Sequence, residues 1–293
     1  MGSTAPCVVT RGDSRLLSKP ELVCRGLGFA YGANYVFQNC DLTTFKDEFV
    51  AVIGPTGTGK STFLRALAYL ITPTTGHVFL DGEEVKSPSS RISMVHQSIA
   101  TFPWMTAQDN VKLALRCKKI CNGEATEISR RMLDLVGLGG HAEDYPKEMS
   151  GGMRQRISIA RSLAASPEVL LLDEPFVHLD ELTANILRQE IHSLVFNPET
   201  SLKSAILVSH NLHEVVQLAD RVYVMNGFPS TIVDEIRIDL PRPRTERNSR
   251  FLDYVDQLYH ELSMKNRNSR TEYTQSEAKP IPQAFRSAYR AYR

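Results

Sequence analysis

Chemistry in this chain starts with Gly54-Pro55-Thr56-Gly57-Thr58-Gly59-Lys60-Ser61-Thr62. The stretch follows the apolar run Phe49–Ile53 and precedes Phe63, Leu64, Leu67 and Leu70 at helical spacing. Glycines so placed let backbone N–H groups close around phosphate oxygens, and a helix N-terminus adds partial positive charge. Lys60 then reaches the β- and γ-phosphates and Ser61 holds Mg²⁺. A glycine turn with an exposed lysine is the plainer use, but the strand–loop–helix context is the one phosphate binding requires. The loop by itself specifies a nucleoside triphosphate and leaves the reaction open.

Asp173-Glu174 narrows the reaction. Adjacent acids just past the apolar run Val169–Leu172 are costly unless they serve a cation or a proton transfer, or cap the next turn. Asp173 fits a Mg²⁺ partner, and Glu174 fits a general base that polarises the attacking water. Transfer to a small-molecule acceptor needs no such base, so Glu174 favours hydrolysis. Ser150-Gly151-Gly152 opens a helix with Met153, Ile157, Ala160 and Ala164 on one face. Glycine costs about 1 kcal/mol against alanine in a helix, yet two in a first turn permit close backbone approach to an anion. Gln97 ends a strand pattern, a place from which an amide could touch both Mg²⁺ and a moving element. His210 could hydrogen-bond a γ-phosphate or simply end its strand. Tyr31 could stack on adenine or pack in the core. His213-Glu214-Val215-Val216-Gln217 begins like a zinc-protease helix but lacks the second histidine.

These groups must be positioned by strands and helices, and the pattern supplies both. Between Glu21 and Gln97, short apolar runs separated by Gly32, Gly76, Asp81-Gly82 and Pro88 predict strands. From 99 to 165 the spacing is helical. Strand patterns return at 168–174, 204–210 and 221–225, with a helix from Leu182 to Val195. Near-continuous Val, Ile and Leu in these runs predict a largely parallel sheet covered on both faces, an α/β fold. Residues 1–20 read as a loose arm and 241–264 as an amphipathic helix with Phe251, Leu252, Val255, Leu258, Tyr259 and Leu262 on one face. Residues 265–293 are polar and basic and read as a disordered tail.

Composition excludes several classes. The 293 residues carry a net charge of +1 with mixed signs, not the footprint of a nucleic-acid binder. Five scattered cysteines suit reduced thiols, and Cys117 with Cys121 lacks the second ligand pair of a zinc site. No apolar run approaches the ~18–20 residues of a membrane span, and the N-terminus lacks a signal-peptide pattern. Met1-Gly2 opens like an acylation site, but Pro6 stands where Ser or Thr is needed. The chain reads as soluble, with any membrane role reached through a partner.

In this order the motifs resemble the nucleotide-binding subunit of an ABC transporter over about residues 21–240. Tyr31 resembles the A-loop aromatic, Gly54 to Thr62 the Walker A loop and Gln97 the Q-loop glutamine. Ser150-Gly151-Gly152-Met153-Arg154-Gln155 resembles the ABC signature, Val169–Asp173 with Glu174 Walker B, Asp180 the D-loop acid and His210 the switch histidine. The resemblance implies a P-loop ATPase core with an inserted helical subdomain and an N-terminal antiparallel β region. It implies ATP and Mg²⁺, with Ser61, Gln97 and Asp173 at the metal. It also implies a second subunit placed head to tail, so that Ser150, Gly151, Gly152 and Gln155 serve the partner's ATP.

Phe102-Pro103-Trp104-Met105, the signature helix and Ile238-Asp239-Leu240-Pro241-Arg242-Pro243-Arg244 are similar to one branch, the nitrate/sulfonate/taurine/bicarbonate import ATPases. That branch implies an importer energised at the cytoplasmic face of the inner membrane, with permease subunits and a solute-binding protein, and no nucleic acid. The rivals are a soluble ABC-class ATPase and a regulatory nucleotide-binding subunit. Repair types carry a long coiled coil between the positions of Gln97 and Ser150, and translation types carry two cassettes. A regulatory subunit would not need Lys60, Glu174 and His210 together. Two departures stand out: Asp47 where the family has glycine, and Val177 and His178 where it favours small residues.

Overall fold

The computed structural model describes residues 19–118 and 120–273. Among them one mixed sheet is built from β1 (Pro20–Tyr31), β2 (Asn34–Phe45), β3 (Glu48–Ile53), β4 (Thr75–Leu80), β5 (Glu83–Glu84), β6 (Ile92–Val95), β7 (Val169–Asp173), β8 (Ser204–Val208), β9 (Arg221–Gly227) and β10 (Ser230–Arg237). Their order across the sheet is β5-β4-β1-β2-β10-β9-β3-β8-β7-β6. The run β9-β3-β8-β7-β6 is parallel throughout, whereas β1 pairs antiparallel with β2 and β4. This is the α/β core with an N-terminal antiparallel β region that the resemblance implies.

Every residue of β3, β7 and β8 is buried, as a strand covered on both faces requires. Their side chains alternate between two cores. Phe49, Ala51 and Ile53 of β3 face one, with Leu170, Leu172, Ala205 and Leu207. Val50 and Val52 face the other, with Val169, Leu171, Ile206 and Val208. The second core is closed by α1 (Lys60–Leu67) through Phe63, Leu64, Ala66 and Leu67. The helix was expected to reach Leu70. It stops earlier because Tyr69 turns into the left-handed region (φ 56°).

On the opposite face lie α2 (Ala107–Lys112), α3 (Asn122–Leu135) and α4 (Gly151–Ala164), which pack on one another as the inserted helical subdomain, followed by α5 (Glu181–Phe196) and α6 (Leu212–Leu218). Asp180 caps α5 by accepting from the Thr183 amide at 3.0 Å, and Ser150 caps α4 by accepting from Met153 at 3.2 Å. Cys121 immediately precedes α3, while Cys117 lies in the 3₁₀ turn Leu113–Lys118, so the two are not on one helix.

Two expectations about the ends change. The last helix, α7, runs Ser249–Tyr273 rather than over 241–264. Pro241 and Pro243 have no amide hydrogen to give a helix, and Arg242 and Arg244 are tied to the core instead. Arg242 donates to Asp220 at 2.7 Å, and the buried Arg244 donates to the carbonyls of Leu240, Ile238 and Val216. Of the expected apolar face, Phe251 and Leu258 are buried and Val255 and Leu262 pack beside them, but Leu252 and Tyr259 are exposed. The helix also overruns the start expected for the tail at 265. Residues 1–18 of the expected arm and 274–293 of the expected tail lie outside the described residues.

Asp47 has φ 58°, a left-handed conformation that glycine adopts freely and aspartate tolerates, which explains why the resemblance has glycine there. At the N-terminal ends of the parallel strands, Glu168 gathers two cations. It accepts from Arg91 Nη2 at 3.0 Å, with a second bond from Arg91 Nε, and from Lys203 at 2.7 Å. These three residues immediately precede β6, β7 and β8.

The bond from Arg91 holds the Glu168 carboxyl down at about 2, against an ordinary value of 4.5. A depressed folded-state value contributes stability above pH 4.5 that is lost as pH falls toward 2. Glu168→Gln should therefore lower the melting temperature by about 3–6 °C at pH 7, with the gap to wild type closing toward pH 2. Thermal melts across that range check both statements; a gap that widens on acidification would contradict the assignment.

Candidate active site

The site lies at the C-terminal ends of the parallel strands, where open α/β sheets bind ligands. Register brings the ends together. Val52 is level with Val208, Asp173 with Val208, and Leu172 with Val95. The glycine loop leaves β3, Gln97 follows β6 by two residues, Asp173 ends β7, and His210 follows β8 by two.

The loop is a nest closed by its own side chains. Gly59 precedes α1 with φ 83°, a turn that needs glycine. Lys60 Nζ donates to the carbonyls of Gly54 and Pro55, both at 2.8 Å, leaving one of its three protons to face the nest. Thr58 is buried, and its hydroxyl donates to Pro55 at 2.9 Å; it braces the loop rather than facing a ligand. Thr56 and Gly57 are exposed at the tip, and Ser61 and Thr62 are half-buried in the first turn of α1. Burial pushes the Lys60 ammonium down, with the Glu174 and Asp173 charges opposing that shift.

Ser61 Oγ donates to Asp173 Oδ1 at 2.9 Å, while Asp173 Oδ2 is buried with no partner. Burial raises the Asp173 carboxyl, and the Ser61 bond and the Arg65 charge lower it. A hydroxyl beside an orphaned carboxylate oxygen next to a phosphate nest is a donor set of oxygens that suits Mg²⁺. Gln97 is exposed at the neighbouring strand end.

Glu174 is the strained residue of the site. Its φ is 48°, which costs a residue with a side chain about 1–2 kcal/mol. The turn is held by its own amide, which donates to Val208 at 2.9 Å. Its carboxylate Oε2 lies 2.8 Å from His210 Nδ1. The sequence offers His210 as a γ-phosphate partner or a plain strand end, and neither reading includes this pairing. Tyr31 is 66 % exposed and meets Phe29 edge-on at 4.9 Å, so its face is open for stacking.

The signature stretch divides. Ser150 and Gly151 lie toward the surface, and a Cβ built on Gly151 would meet only Ile99, at 4.0 Å. A Cβ on Gly152 would stand 3.1 Å from the carbonyl oxygen of His178, so that glycine packs tightly within its own chain. Gln155 corrects the expectation of contact with a partner's ATP. It is fully buried, and its Nε2 donates to the Pro175 carbonyl at 3.0 Å, because it sits on the inward face of α4. The signature helix is thus braced on the loop that follows Glu174 and leads to Asp180. Val177 and His178 of that loop are exposed.

Three further residues lie beside the site with no role there given by the sequence: Arg188, Ser209 and Glu214, the last noticed only within the zinc-protease-like stretch. Arg188 falls on the stripe of α5 that buries Ala184, Leu187, Ile191 and Val195. A cation on an apolar stripe was the available signal.

A phosphate nest, an orphaned carboxylate and a second acid at the ends of parallel strands define a nucleotide-hydrolysing P-loop protein, and the inserted helices with their glycine-fronted α4 place it in the ATP-binding cassette class. Comparison with known proteins agrees. Residues 37–177 match the ABC transporter family. The chain is 39 % identical over 255 residues to the nitrate import ATP-binding protein NrtD of Synechocystis sp., covering 84 % of this chain and 93 % of that one. It is 41 % identical over 228 residues to an uncharacterised ABC transporter ATP-binding protein of Methanocaldococcus jannaschii, covering 77 % and 84 %. It is 36 % identical to the aliphatic sulfonates import ATP-binding protein SsuB of Bacillus cereus, covering 75 % and 85 %.

Among solved structures, the dimeric post-hydrolysis state of the cassette MJ0796 bound to ADP and Pi superposes with a TM-score of 0.68 at 26 % identity, over 75 % of this chain and all of that one. The chain belongs to the ABC transporter ATP-binding proteins and is an ATPase of that family.

The two signature glycines should respond differently to one methyl group. Gly152→Ala should lower the stability of the isolated chain by about 1 kcal/mol or more through the His178 carbonyl, whereas Gly151→Ala should leave it unchanged or slightly raised. Denaturant melts of both variants decide this; equal losses would mean that Gly151 is also packed.

Proposed function

We propose that this chain is the ATP-hydrolysing subunit of an importer for a small anion of the nitrate or sulfonate kind. Two copies would work head to tail at the cytoplasmic face of a membrane, docked to permease subunits and supplied by a solute-binding protein. The similarity to NrtD over 93 % of that protein's length supports the importer reading. No helix among the described residues is long and apolar enough to cross a membrane, so passage of the solute falls to other chains. Trp104, beside the helical subdomain and 71 % exposed, is an apolar surface that docking would cover.

The observation that carries the catalytic reading is Glu174, set beside the Asp173–Ser61 pair and bonded to His210. Tyr31 stacks on the adenine, and the backbone amides of the nest with the remaining Lys60 proton hold the β- and γ-phosphates. Ser61 and Asp173, with Gln97, would hold Mg²⁺, which supplies charge neutralisation along the phosphate chain. Glu174 orients a water for in-line attack on the γ-phosphorus. As the new O–P bond forms and the β–γ bridge breaks, the water's proton passes to Glu174. His210 keeps that carboxylate in place through Nδ1 and turns Nε2 toward the γ-phosphate. A partner's Ser150 and Gly151 add a bare helix N-terminus to the same phosphate, so ATP closes the pair in a way that ADP does not. Gln97 and the helical subdomain carry that closure to the permease.

Glu174→Gln should lower kcat for ATP hydrolysis by ~10²–10⁴-fold, the usual contribution of a general base, with ATP affinity unchanged. Steady-state hydrolysis and equilibrium nucleotide binding on the full chain check this; a variant with wild-type turnover would remove Glu174 from the role of base.

A further inference from the structure

Behind the site lies a charged cluster that phosphate binding does not use. Arg188 is 3 % exposed and its Nε has no hydrogen-bond partner. Its Nη1 donates to Glu214 Oε1 at 3.2 Å, its Nη2 donates to Glu181 Oε1, and its guanidinium lies 5.8 Å from the centre of the Phe176 ring. Each of these partners adjoins a different part of the active site. Phe176 is two residues past Glu174, and Glu181 directly follows Asp180. Glu214 accepts from Ser209 Oγ at 2.7 Å, and the same hydroxyl accepts from the Asn211 amide at 3.0 Å. Ser209 and Asn211 flank His210, so Glu214 holds the loop that presents it.

We propose that Arg188 is a positioning residue for ATP hydrolysis, holding Phe176, Glu181 and Glu214 at once and thereby fixing Glu174, Asp180 and His210 relative to one another. The proposal rests on Glu174 being the base. A buried guanidinium with an unpartnered Nε is a poor device for stability alone, since apolar replacement of a buried ion pair is often neutral or stabilising. What it offers is direction. It is a planar donor with fixed angles to two carboxylates on two different elements and a ring face on a third. Glu181 has an 80 % exposed side chain, so the Arg188 grip on it serves the exposed start of α5, where Asp180 sits, more than the core. Burial raises the Glu214 carboxyl, and the Ser209 bond and Arg188 charge oppose that shift.

The test uses the full chain and two variants. Arg188→Met alone strands a buried carboxylate and risks misfolding, so it is paired with Arg188→Met/Glu214→Gln, which removes the charge pair together. The paired variant should melt cooperatively and bind ATP within about threefold of wild type, with kcat reduced at least tenfold. A purely structural role would shift the melt and leave kcat per folded molecule unchanged, and that result would overturn the proposal.

A second readout is the effect of Arg188→Met/Glu214→Gln in a Glu174→Gln background. Groups that act as a unit are non-additive, so the further loss there should be under threefold; a full tenfold loss would show Arg188 acting elsewhere and would also overturn the proposal. Glu174→Gln alone is run in parallel. If it turns over like wild type, the base assignment fails, and the positioning role falls with it. If it is slow while the paired variant is fast, only the Arg188 role fails.

Discussion

The constraint on which this molecule depends is strand register at one edge of a parallel sheet. In the function proposed above, a triphosphate would be met by groups from four strands: the glycine loop after β3, Gln97 after β6, Asp173 and Glu174 at the end of β7, and His210 after β8. The strand period is two, so a slip of one residue in β7 would turn Asp173 away from Ser61 and exchange the two cores. The sequence guards against that slip at both ends. At one end Asp173 accepts from Ser61 across the β3–α1 turn. At the other, Glu168 clamps Arg91 and Lys203, the residues immediately before β6 and β8. The strands between are mostly apolar, and β7 and β8 are buried throughout, so apolar burial alone discriminates weakly between registers. Polar contacts at the ends therefore select the register, while apolar burial supplies most of the stability.

Much of this was legible because it is local. A glycine loop between a strand and a helix, two acids ending an apolar run and a serine before paired glycines are each short motifs whose geometry follows from a few residues. The parallel sheet was legible because strands covered on both faces lose the alternation of a half-exposed strand. What could not be read depends on residues far apart in the chain. Gln155 belongs to the signature motif by position, but helical period turns it inward to Pro175, and only the fold reveals that face. In the sequence, residues 241–248 group with the last helix because the core pattern stops at Pro241, yet Arg244 is held by the carbonyls of Val216, Ile238 and Leu240. The meeting of Glu174 with His210 joins residues 36 apart, each of which had a separate use on paper.

Asp47 and Glu174 show how one backbone conformation serves two ends. Both adopt positive φ with a side chain present. At Asp47 the conformation only turns the chain between β2 and β3, and glycine would serve as well. At Glu174 the side chain is the point, so glycine is not an option and the strain is held by surrounding contacts. These are the amide bond to Val208, the pairing with His210 and the Pro175 carbonyl gripped by Gln155.

The grip on Pro175 has a consequence for a two-subunit site. Gln155 and Gly152 lie in the first turns of α4, and both rest on the segment 175–178 that follows Glu174. The tip of α4, at Ser150 and Gly151, lies at the surface, while its next turn is locked to that segment of its own chain. In the head-to-tail pair proposed above, that tip meets the other subunit's γ-phosphate. A displacement of the tip would then be felt first at Pro175 and Glu174 of its own chain, because close-packed contacts transmit strain instead of absorbing it. In that pair, one physical route from the tip to its own chain's site would run through the start of α4 and the Pro175 carbonyl. Val177 and His178, larger than the family's small residues and exposed on that same segment, sit where such a route would meet the partner.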